Sequence, residues 1–181
     1  PMQMRAVFDY LRQDVDVALF QVAYDQEGVL RLGPNVDFIE AALQSATLRI
    51  AELNQSLVAP LGSMPIDPKE IDYLYESERA LYEMPSPKLD EAALAIGSLV
   101  SELISDGSCI QTGIGAIPAA ILSQLSNKND LGMHGGLIDD AGMHLIQEGN
   151  LSGRVKTIDR ELHVVGMALG SQNLYDWLSA Q

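Results

Sequence analysis

The chain has 181 residues, 47% of them hydrophobic, which suffices for one domain or two small ones with a buried core. Its 25 acidic residues against 11 basic ones give a net charge of −14, which argues against nucleic-acid binding and against docking to an anionic membrane. The acidic residues are spread along the chain and not gathered in a tail. This pattern is typical of an ordinary acidic surface.

Cys109 is the only cysteine, so a disulfide framework is excluded and a reducing compartment is expected. No stretch approaches the length of a membrane span. The first residues also lack the apolar core of a signal peptide. We therefore predict a cytoplasmic protein with no membrane partner.

The first half of the chain predicts a parallel α/β unit, because a strand, a helix and a second strand follow one another. The first strand is rich in branched apolar residues, which is typical of a buried strand. An irregular, proline-containing connection follows the second strand. The predicted elements are a short helix over 6–12, a strand over 15–23, a helix over 36–46 with Asn35 as its N-cap, a strand over 48–53, and the connection over 54–71.

Met84-Pro85-Ser86-Pro87 is the clearest linker signal and predicts a boundary between residues 1–85 and 86–181. Ser86 and Pro87 suit the N-cap and first turn of a helix that ends at Asp106-Gly107. Its apolar residues recur at three- and four-residue spacing, which predicts one buried helix face. They are Leu89, Ala93, Ile96, Val100, Leu103 and Ile104.

The remaining elements alternate between strand and helix, and so continue the α/β pattern. They are a strand over 108–112, a glycine loop, a helix over 119–125 with Pro118 in its first turn, and a strand over 131–134 that ends at a histidine and two glycines. A helix over 141–148 stopped by Gly149, a strand over 162–169, and a helix over 172–178 capped by Ser171 complete the prediction.

The loop Gly113-Ile114-Gly115 is the most informative local feature. Its glycines remove side chains where a ligand must approach the backbone. A glycine loop that feeds a helix N-terminus offers N–H groups to an oxyanion or a phosphate. It lacks the third glycine of a dinucleotide fingerprint and the Gly-Lys-Ser/Thr of a P-loop. On spacing alone, a structural turn is as good an interpretation as a ligand loop.

Other reactive residue types form no complete catalytic set. His134, His144 and His163 have no metal-ligand spacing, so no metal site is predicted. The pair Asp139-Asp140 suits a helix N-cap better than a base or a metal ligand. Cys109 lies in an apolar stretch, which favours a buried, inert thiol over a nucleophile.

The loop and its surroundings resemble the acetyl-CoA hydrolase/CoA-transferase family, which includes 4-hydroxybutyrate CoA-transferases. The resemblance rests on Asp106-Gly107 to Gln111, on Gly113 to Pro118, on Asp130 to His134, and on Asp140. The family pattern is Asp-Gly-x-x-Leu-Gln-x-Gly-Ile-Gly-x-Ile-Pro, followed by Leu-Gly-x-His-Ser/Thr-Glu. Weaker matches extend over nearly the whole chain, at residues 14–18, 21–22, 32–33, 52–54 and 174–176.

The resemblance implies an open, mostly parallel α/β sheet with helices on both faces, in a partial two-domain arrangement. Residues 1–85 would end the first CoA-transferase-like domain, and residues 86–181 would begin the second. It also implies acyl-CoA or acyl-pantetheine substrates, coenzyme A as a substrate, and no bound cofactor or metal. In the family, a glutamate attacks the thioester to form an acyl-glutamyl anhydride and then a glutamyl-CoA thioester.

The resemblance places the substrate around the loop and the following strand. The N–H groups from Gly113 to Ala116 would face the thioester oxygen or nearby CoA atoms, where negative charge develops. The implied substrate-binding residues are Gly113, Ile114, Gly115, Ala116, Ile117, Pro118, His134, Gly135 and Gly136. Because CoA is a polyanion, helix N-termini and some of Lys128, Arg154 and Lys156 are expected to make the site locally positive.

Two departures from the family pattern leave the function open. The family glutamate falls at Gly136, which has no nucleophile, and the chain matches only a central part of a family member more than twice as long. The first hypothesis is a CoA-transferase or thioester hydrolase that uses the loop as an oxyanion site. The second is a non-catalytic subunit or pseudoenzyme that binds CoA, a pantetheine-carried acyl group or a homologous partner chain. A homo-oligomer is also expected, and a plain α/β interaction domain is the third hypothesis.

Overall fold

The computed structural model describes residues 15–180, and they form an α/β protein, as the sequence predicts. The predicted helix over 6–12 lies outside the described residues. The strands are Val15–Tyr24 (β1), Leu30–Leu32 (β2), Ala46–Asn54 (β3), Tyr73–Ser77 (β4), Cys109–Ile110 (β5), Gly132–Ile138 (β6) and Val164–Ala168 (β7). The helices are Ile39–Ser45 (α1), Glu91–Leu103 (α2), Ala116–Leu122 (α3), Asp140–Gln147 (α4) and Gln172–Ser179 (α5), with a 3-10 turn at Pro68–Glu70.

The chain divides into two compact units. One runs to Tyr82 and resumes at Tyr175, and the other is Glu83–Leu174. Each unit has its own open sheet, in the strand orders β2-β1-β3-β4 and β5-β6-β7. Among the strands of residues 15–180, only β2 runs antiparallel to its neighbour, so the prediction of open, mostly parallel sheets is confirmed.

The first unit is built on the predicted strand–helix–strand element. β1 and β3 pair in parallel from Val15↔Ala46 to Val22↔Leu53. The helix α1 contacts β1 and β3. Burial of apolar side chains between these elements removes them from water and stabilises the unit. The buried residues of this core are Ala18, Phe20, Val22, Leu30, Leu32, Leu43, Ala51 and Ile66.

The predicted N-cap of α1 is wrong. The helix begins at Ile39 with Phe38 in the capping position, and not at Val36 after Asn35. Asp37 has a φ of 23°, outside the right-handed helical region, so the chain forms a turn before the helix. In that turn the N–H of Ile39 donates to the carbonyl of Val36.

The long helix of the second unit begins later than predicted. Asp90, and not Ser86, is the N-cap of α2, because its carboxylate accepts a hydrogen bond from the N–H of Ala93 at 2.7 Å. The helix ends at Leu103, before the predicted stop at Asp106-Gly107. α2 packs closely on α3 at Gly97, where a Cβ would lie 2.7 Å from the carbonyl oxygen of Ala120.

The other helix signals of the second unit are largely confirmed. Asp139 caps α4 by accepting from the N–H of Gly142 at 2.9 Å, and Gly149, with a φ of 83°, follows its end. Pro118 lies in the first turn of α3, as predicted, although that helix begins at Ala116 and ends at Leu122. Within residues 15–180, no helix is long and apolar enough to cross a bilayer.

Candidate functional site around the glycine loop and strand β6

The glycine loop joins the end of β5 to the start of α3. Gly115 is the N-cap of α3 and has a φ of 125°, a conformation that an L-amino acid rarely adopts. None of the described side chains caps this helix start. The first N–H groups of a helix have no partner within it. The N–H groups of Ala116 and Ile117 therefore need a partner from outside the helix.

The loop is exposed, including its apolar side chains. Ile114 is 61% exposed and Ile117 is 46% exposed. A Cβ at Gly113 would lie 3.8 Å from Cγ of Pro118, an ordinary contact, so the surrounding protein does not require glycine at that position. The backbone conformation requires glycine only at Gly115. An external group can therefore reach the loop backbone.

His134, Gly135 and Gly136 lie inside β6, which continues to Ile138, and not at the end of a strand as the sequence predicts. The predicted end at residue 134 is wrong because the strand pairs with β7 over its further length, from His134↔Val164 to Ile138↔Ala168. His134 and Gly136 are both exposed, whereas Met133 and Leu137, which flank this segment, are buried. Alternation along the strand puts His134 and Gly136 on one open face.

The two glycines of β6 have opposite surroundings. A Cβ at Gly135 would lie 2.6 Å from Cγ of Gln111 and 3.3 Å from its Cα, so the glycine allows close packing of β6 against the residue that follows β5. Around a Cβ at Gly136, the described residues place no heavy atom within 4 Å. The position of the expected glutamate is therefore open space on the exposed face of β6.

An acidic side chain lies beside His134. Nδ1 of His134 is 3.9 Å from Oδ2 of Asp159, and the two side chains are 47% and 42% exposed. Asp159 and the neighbouring Glu161 both have positive φ, 51° and 64°. Sequence reasoning missed Asp159 because 25 positions separate it from His134, and no spacing rule connects a strand residue to a later loop.

Cys109 is exposed, so the prediction of a buried thiol is wrong. β5 has only two residues, and Cys109 is the exposed one. Cys109 pairs with Gly132 of β6, which puts it on the face that also carries His134. A Cβ at Gly132 would lie 3.4 Å from Sγ of Cys109 and 2.6 Å from Cγ of Lys156.

The three expected cations lie away from the glycine loop. Lys128 precedes β6, and Arg154 and Lys156 precede β7, so they lie at the amino edge of the parallel sheet, whereas the loop follows the carboxyl end of β5. Arg154 pairs with Asp130 at 2.7 Å. Lys156 is buried and donates to the carbonyls of Met133 (3.2 Å) and Leu162 (2.6 Å). The start of α3 contributes positive potential at the loop.

A cavity of about 240 Å³ lies beside the loop, between α2, α3 and β5, and sequence reasoning did not predict it. Most of its lining is apolar, and it shares Gln111, Thr112 and Gly113 with the loop region. The remaining lining residues are Val100, Ile104, Ile110, Pro118, Ile121, Leu122 and Leu125. Among residues 15–180, no group of three or more His, Cys, Asp or Glu side chains is arranged to hold a metal ion.

A buried carboxylate in the first unit has a different environment. Glu52 accepts hydrogen bonds from Ser77 Oγ (2.6 Å), Gln21 Nε2 (2.8 Å) and Arg79 Nη2 (2.7 Å). These donors, Ser77 first, hold the pKa of Glu52 below its ordinary value, while desolvation opposes them. The carboxylate is therefore ionised and fully engaged at neutral pH.

Comparison with known proteins gives a consistent result. No family model matches the chain. It is 38% identical to 4-hydroxybutyrate coenzyme A transferase of Clostridium kluyveri over 98% of its own length and 42% of that protein. It is 33% identical to a succinyl-CoA:acetate/propanoyl-CoA:succinate CoA transferase of Fasciola hepatica, over 91% of the chain and 35% of that protein.

Solved structures agree. A 4-hydroxybutyrate CoA-transferase from Porphyromonas gingivalis superposes with a TM-score of 0.88 at 30% identity, over 97% of this chain and 45% of that one. RipA from Yersinia pestis gives a TM-score of 0.84 at 30% identity, over 90% of this chain and 38% of that one.

The fold is thus that of an open-sheet CoA-transferase. By sequence and structure the chain belongs to the CoA-transferase family, of the kind that includes 4-hydroxybutyrate CoA-transferases, as its motifs indicated. The chain spans less than half the length of these relatives.

Proposed function

We propose that this chain handles acyl-CoA thioesters, either transferring CoA between carboxylates or hydrolysing the thioester, with coenzyme A as a substrate and no bound cofactor. The observation that carries the proposal is the exposed glycine loop, where no described side chain caps the start of α3. The open space around Gly136 supports it. The family membership supports it. The proposed substrate-binding residues are Gly113, Ile114, Gly115, Ala116, Ile117, Pro118, His134, Gly135 and Gly136. Residues 86–181 would begin the second domain of the family, and residues 1–85 would end the first.

The chemistry of the loop supports a thioester substrate. When a nucleophile attacks a thioester, the carbonyl oxygen becomes negatively charged, and fixed N–H donors stabilise that charge. The N–H groups of Ala116 and Ile117 are the first of α3, so they have no acceptor within the helix, and no described side chain caps them. The missing side chain at Gly113 leaves room for the substrate.

Binding of CoA tests the loop directly. We expect Gly115→Ala to weaken CoA and acetyl-CoA binding, measured by calorimetric titration, because a Cβ opposes the φ of 125° that orients the loop. Gly28→Ala is the matched control, since Gly28 also has a positive φ (79°) and open space around it but lies in the β1–β2 turn. Equal affinity of both variants and the wild type, or no binding by any of them at millimolar CoA, would contradict the proposal.

The position of the missing nucleophile gives a second test. A CoA-transferase of this family needs a carboxylate, and Gly136 has none. We expect Gly136→Glu to gain transfer of CoA from an acyl-CoA to acetate, because the described residues leave the new side chain free space. Gly136→Gln is the control: it has the same shape without a nucleophile, so it should gain no transfer.

A non-catalytic role is the second candidate, and the absence of a carboxylate at Gly136 favours it. Such a subunit would bind CoA, an acyl-pantetheine or a homologous partner chain, or would form a homo-oligomer. CoA binding without turnover of short acyl-CoAs, with and without acetate, would support this candidate. Turnover by the wild-type chain would exclude it.

A further inference from the structure

We infer that His134, assisted by Asp159, acts as the general base that activates water for acyl-thioester hydrolysis. This inference rests on the proposed function and makes it more specific: the acceptor of the acyl group is water and not a second carboxylate. It starts from the juxtaposition of an exposed imidazole, a neighbouring carboxylate and the open space at Gly136.

The position of His134 suits a base. It is two residues before Gly136 on the same open face of β6, which corresponds to about 6.6 Å along a strand. That distance is suited to an imidazole with one water between it and an acyl group above Gly136. Nδ1 is the nitrogen that faces Asp159, which leaves Nε2 of this exposed imidazole for the water. Nε2 is thus free to accept a proton from that water.

The absence of a side chain at Gly136 is part of this arrangement. A glutamate there would occupy the space above the strand and attack the thioester itself. With glycine, the described residues leave nothing within 4 Å of the Cβ position, so water can enter. The same substitution that removes the covalent nucleophile therefore makes room for its replacement.

Asp159 acts on the charged form of His134. The 3.9 Å between Nδ1 of His134 and Oδ2 of Asp159 is longer than a hydrogen bond, so Asp159 contributes little to the stability of a neutral imidazole. It becomes an ion pair when His134 takes a proton, which is when stabilisation lowers the barrier. The loop holds Asp159 in place: its carbonyl accepts from the N–H of Leu162 at 3.0 Å, and Glu161 donates to the carbonyl of Gly153 at 3.0 Å. Asp159 is a positioning and charge-stabilising residue.

Hydrolysis of the acyl thioester begins with the attack of water. A water oxygen forms a bond to the thioester carbon, and Nε2 of His134 takes one proton of that water. The carbonyl oxygen becomes an oxyanion that the N–H groups of the glycine loop stabilise. The tetrahedral intermediate then collapses, the C–S bond breaks, and the imidazolium returns its proton to the CoA sulfur. The products are a carboxylic acid, which ionises at neutral pH, and CoA thiol.

The test uses the full chain with acetyl-CoA and butyryl-CoA, with release of free thiol as the readout. We expect His134→Ala to lower kcat for hydrolysis by about 100-fold or more, a much larger factor than its effect on acyl-CoA affinity. Added imidazole should restore part of the rate in this variant, which a merely structural histidine would not allow. His144→Ala is the matched control, because His144 is exposed on α4 and should leave the rate unchanged.

Separate measurement of kcat and KM tests the role of Asp159. Asp159→Asn should lower kcat about threefold, corresponding to the loss of one solvent-screened charge interaction in the transition state, with KM unchanged. Asp159→Glu should restore part of kcat. A change in KM alone would contradict the assignment of Asp159.

The double variant Gly136→Glu/His134→Ala separates the two proposals. Transfer to acetate by the introduced carboxylate does not need a base for water, so transfer should survive in this variant while hydrolysis is lost. If Gly136→Glu transfers CoA but the wild type hydrolyses nothing, or if His134→Ala hydrolyses like the wild type, the inference about His134 is overturned and acyl-CoA handling stands. If no variant binds or turns over acyl-CoA, the proposed function itself fails.

Discussion

The two units differ in what they carry on an open sheet face: the first has a fully hydrogen-bonded carboxylate, and the second has a glycine. In the first unit, Glu52 stands on the face that carries the exposed Leu19 and Tyr73, yet three donors surround it and only 5% of the residue is exposed. In the second unit, Gly136 leaves the corresponding kind of position empty and exposed. A carboxylate with three donors and a lowered pKa is a poor nucleophile, because attack would break those bonds. An acidic chain therefore does not have a nucleophile merely because it has many carboxylates.

Among substitutions on the two sheet faces, Glu52→Ala should cause the largest loss of stability. It leaves the donors Gln21, Ser77 and Arg79 without their acceptor, so we expect a loss of about 3 kcal/mol in the free energy of unfolding. Urea denaturation measures it. Glu76→Ala, on the exposed part of β4, is the control and should change stability by about 0.5 kcal/mol or less. Equal losses in both variants would mean that the network around Glu52 is not structural.

Gly135→Ala should have the next largest effect. Its Cβ would lie 2.6 Å from Cγ of Gln111, so either Gln111 moves or the β5–β6 pairing is strained. Overpacking of this kind costs about 2 kcal/mol. Chemical denaturation gives the free energy, and CoA titration shows whether the displaced Gln111 disturbs the adjacent loop. Unchanged stability would show that the side chain of Gln111 yields freely.

The pH dependence of stability should show the lowered pKa of Glu52. A carboxyl whose pKa is lower in the folded than in the unfolded state stabilises the fold above its unfolded pKa of about 4.3 and loses that contribution as the pH falls through its folded pKa. Glu52→Gln should thus be about 1 kcal/mol less stable than the wild type at pH 7, and the difference should narrow below about pH 4. Unfolding curves at pH 7, 5 and 3 measure it. A difference that does not depend on pH would contradict the lowered pKa.

The smallest effect is expected for Gly136→Ala. The new methyl group meets no described atom within 4 Å, and the residue lies in a regular strand. The free energy of unfolding should change by about 0.5 kcal/mol or less. A clear loss of stability in Gly136→Ala would mean that other atoms cover this face of β6. Gly136 would then no longer differ from Glu52 in how far its position is exposed.

The sequence predicted most of the architecture, because strand and helix periodicity are local properties. The parallel pairing of β1 and β3, the N-cap at Asp139 and the stop at Gly149 all follow from patterns of a few residues. The predicted N-caps Asn35 and Ser86 are wrong because several nearby residues had the right chemistry. α1 begins only after the turn at Asp37, which has a positive φ. α2 begins after its N-cap Asp90, whose carboxylate accepts the hydrogen bond from the N–H of Ala93.

The candidate site was only partly predictable. The glycine loop and His134 were found from their motif, and the open space at Gly136 is what a missing side chain in an exposed strand suggests. The position of Asp159 beside His134 depends on how the loop before β7 folds back towards β6, and no local sequence pattern predicts that. The exposure of Cys109 was missed because an apolar neighbourhood in sequence does not show which face of a two-residue strand is covered.

The exposed Cys109 makes the molecule convenient for spectroscopy. Since it is the chain's single cysteine, a maleimide fluorophore or a nitroxide would attach at one defined point without any mutation. Its pairing with Gly132 puts that label on the same face of the sheet as His134. A ligand that settles over this face would change the emission or mobility of the label. The residue expected to be inert is thus a natural reporter for occupancy of the site.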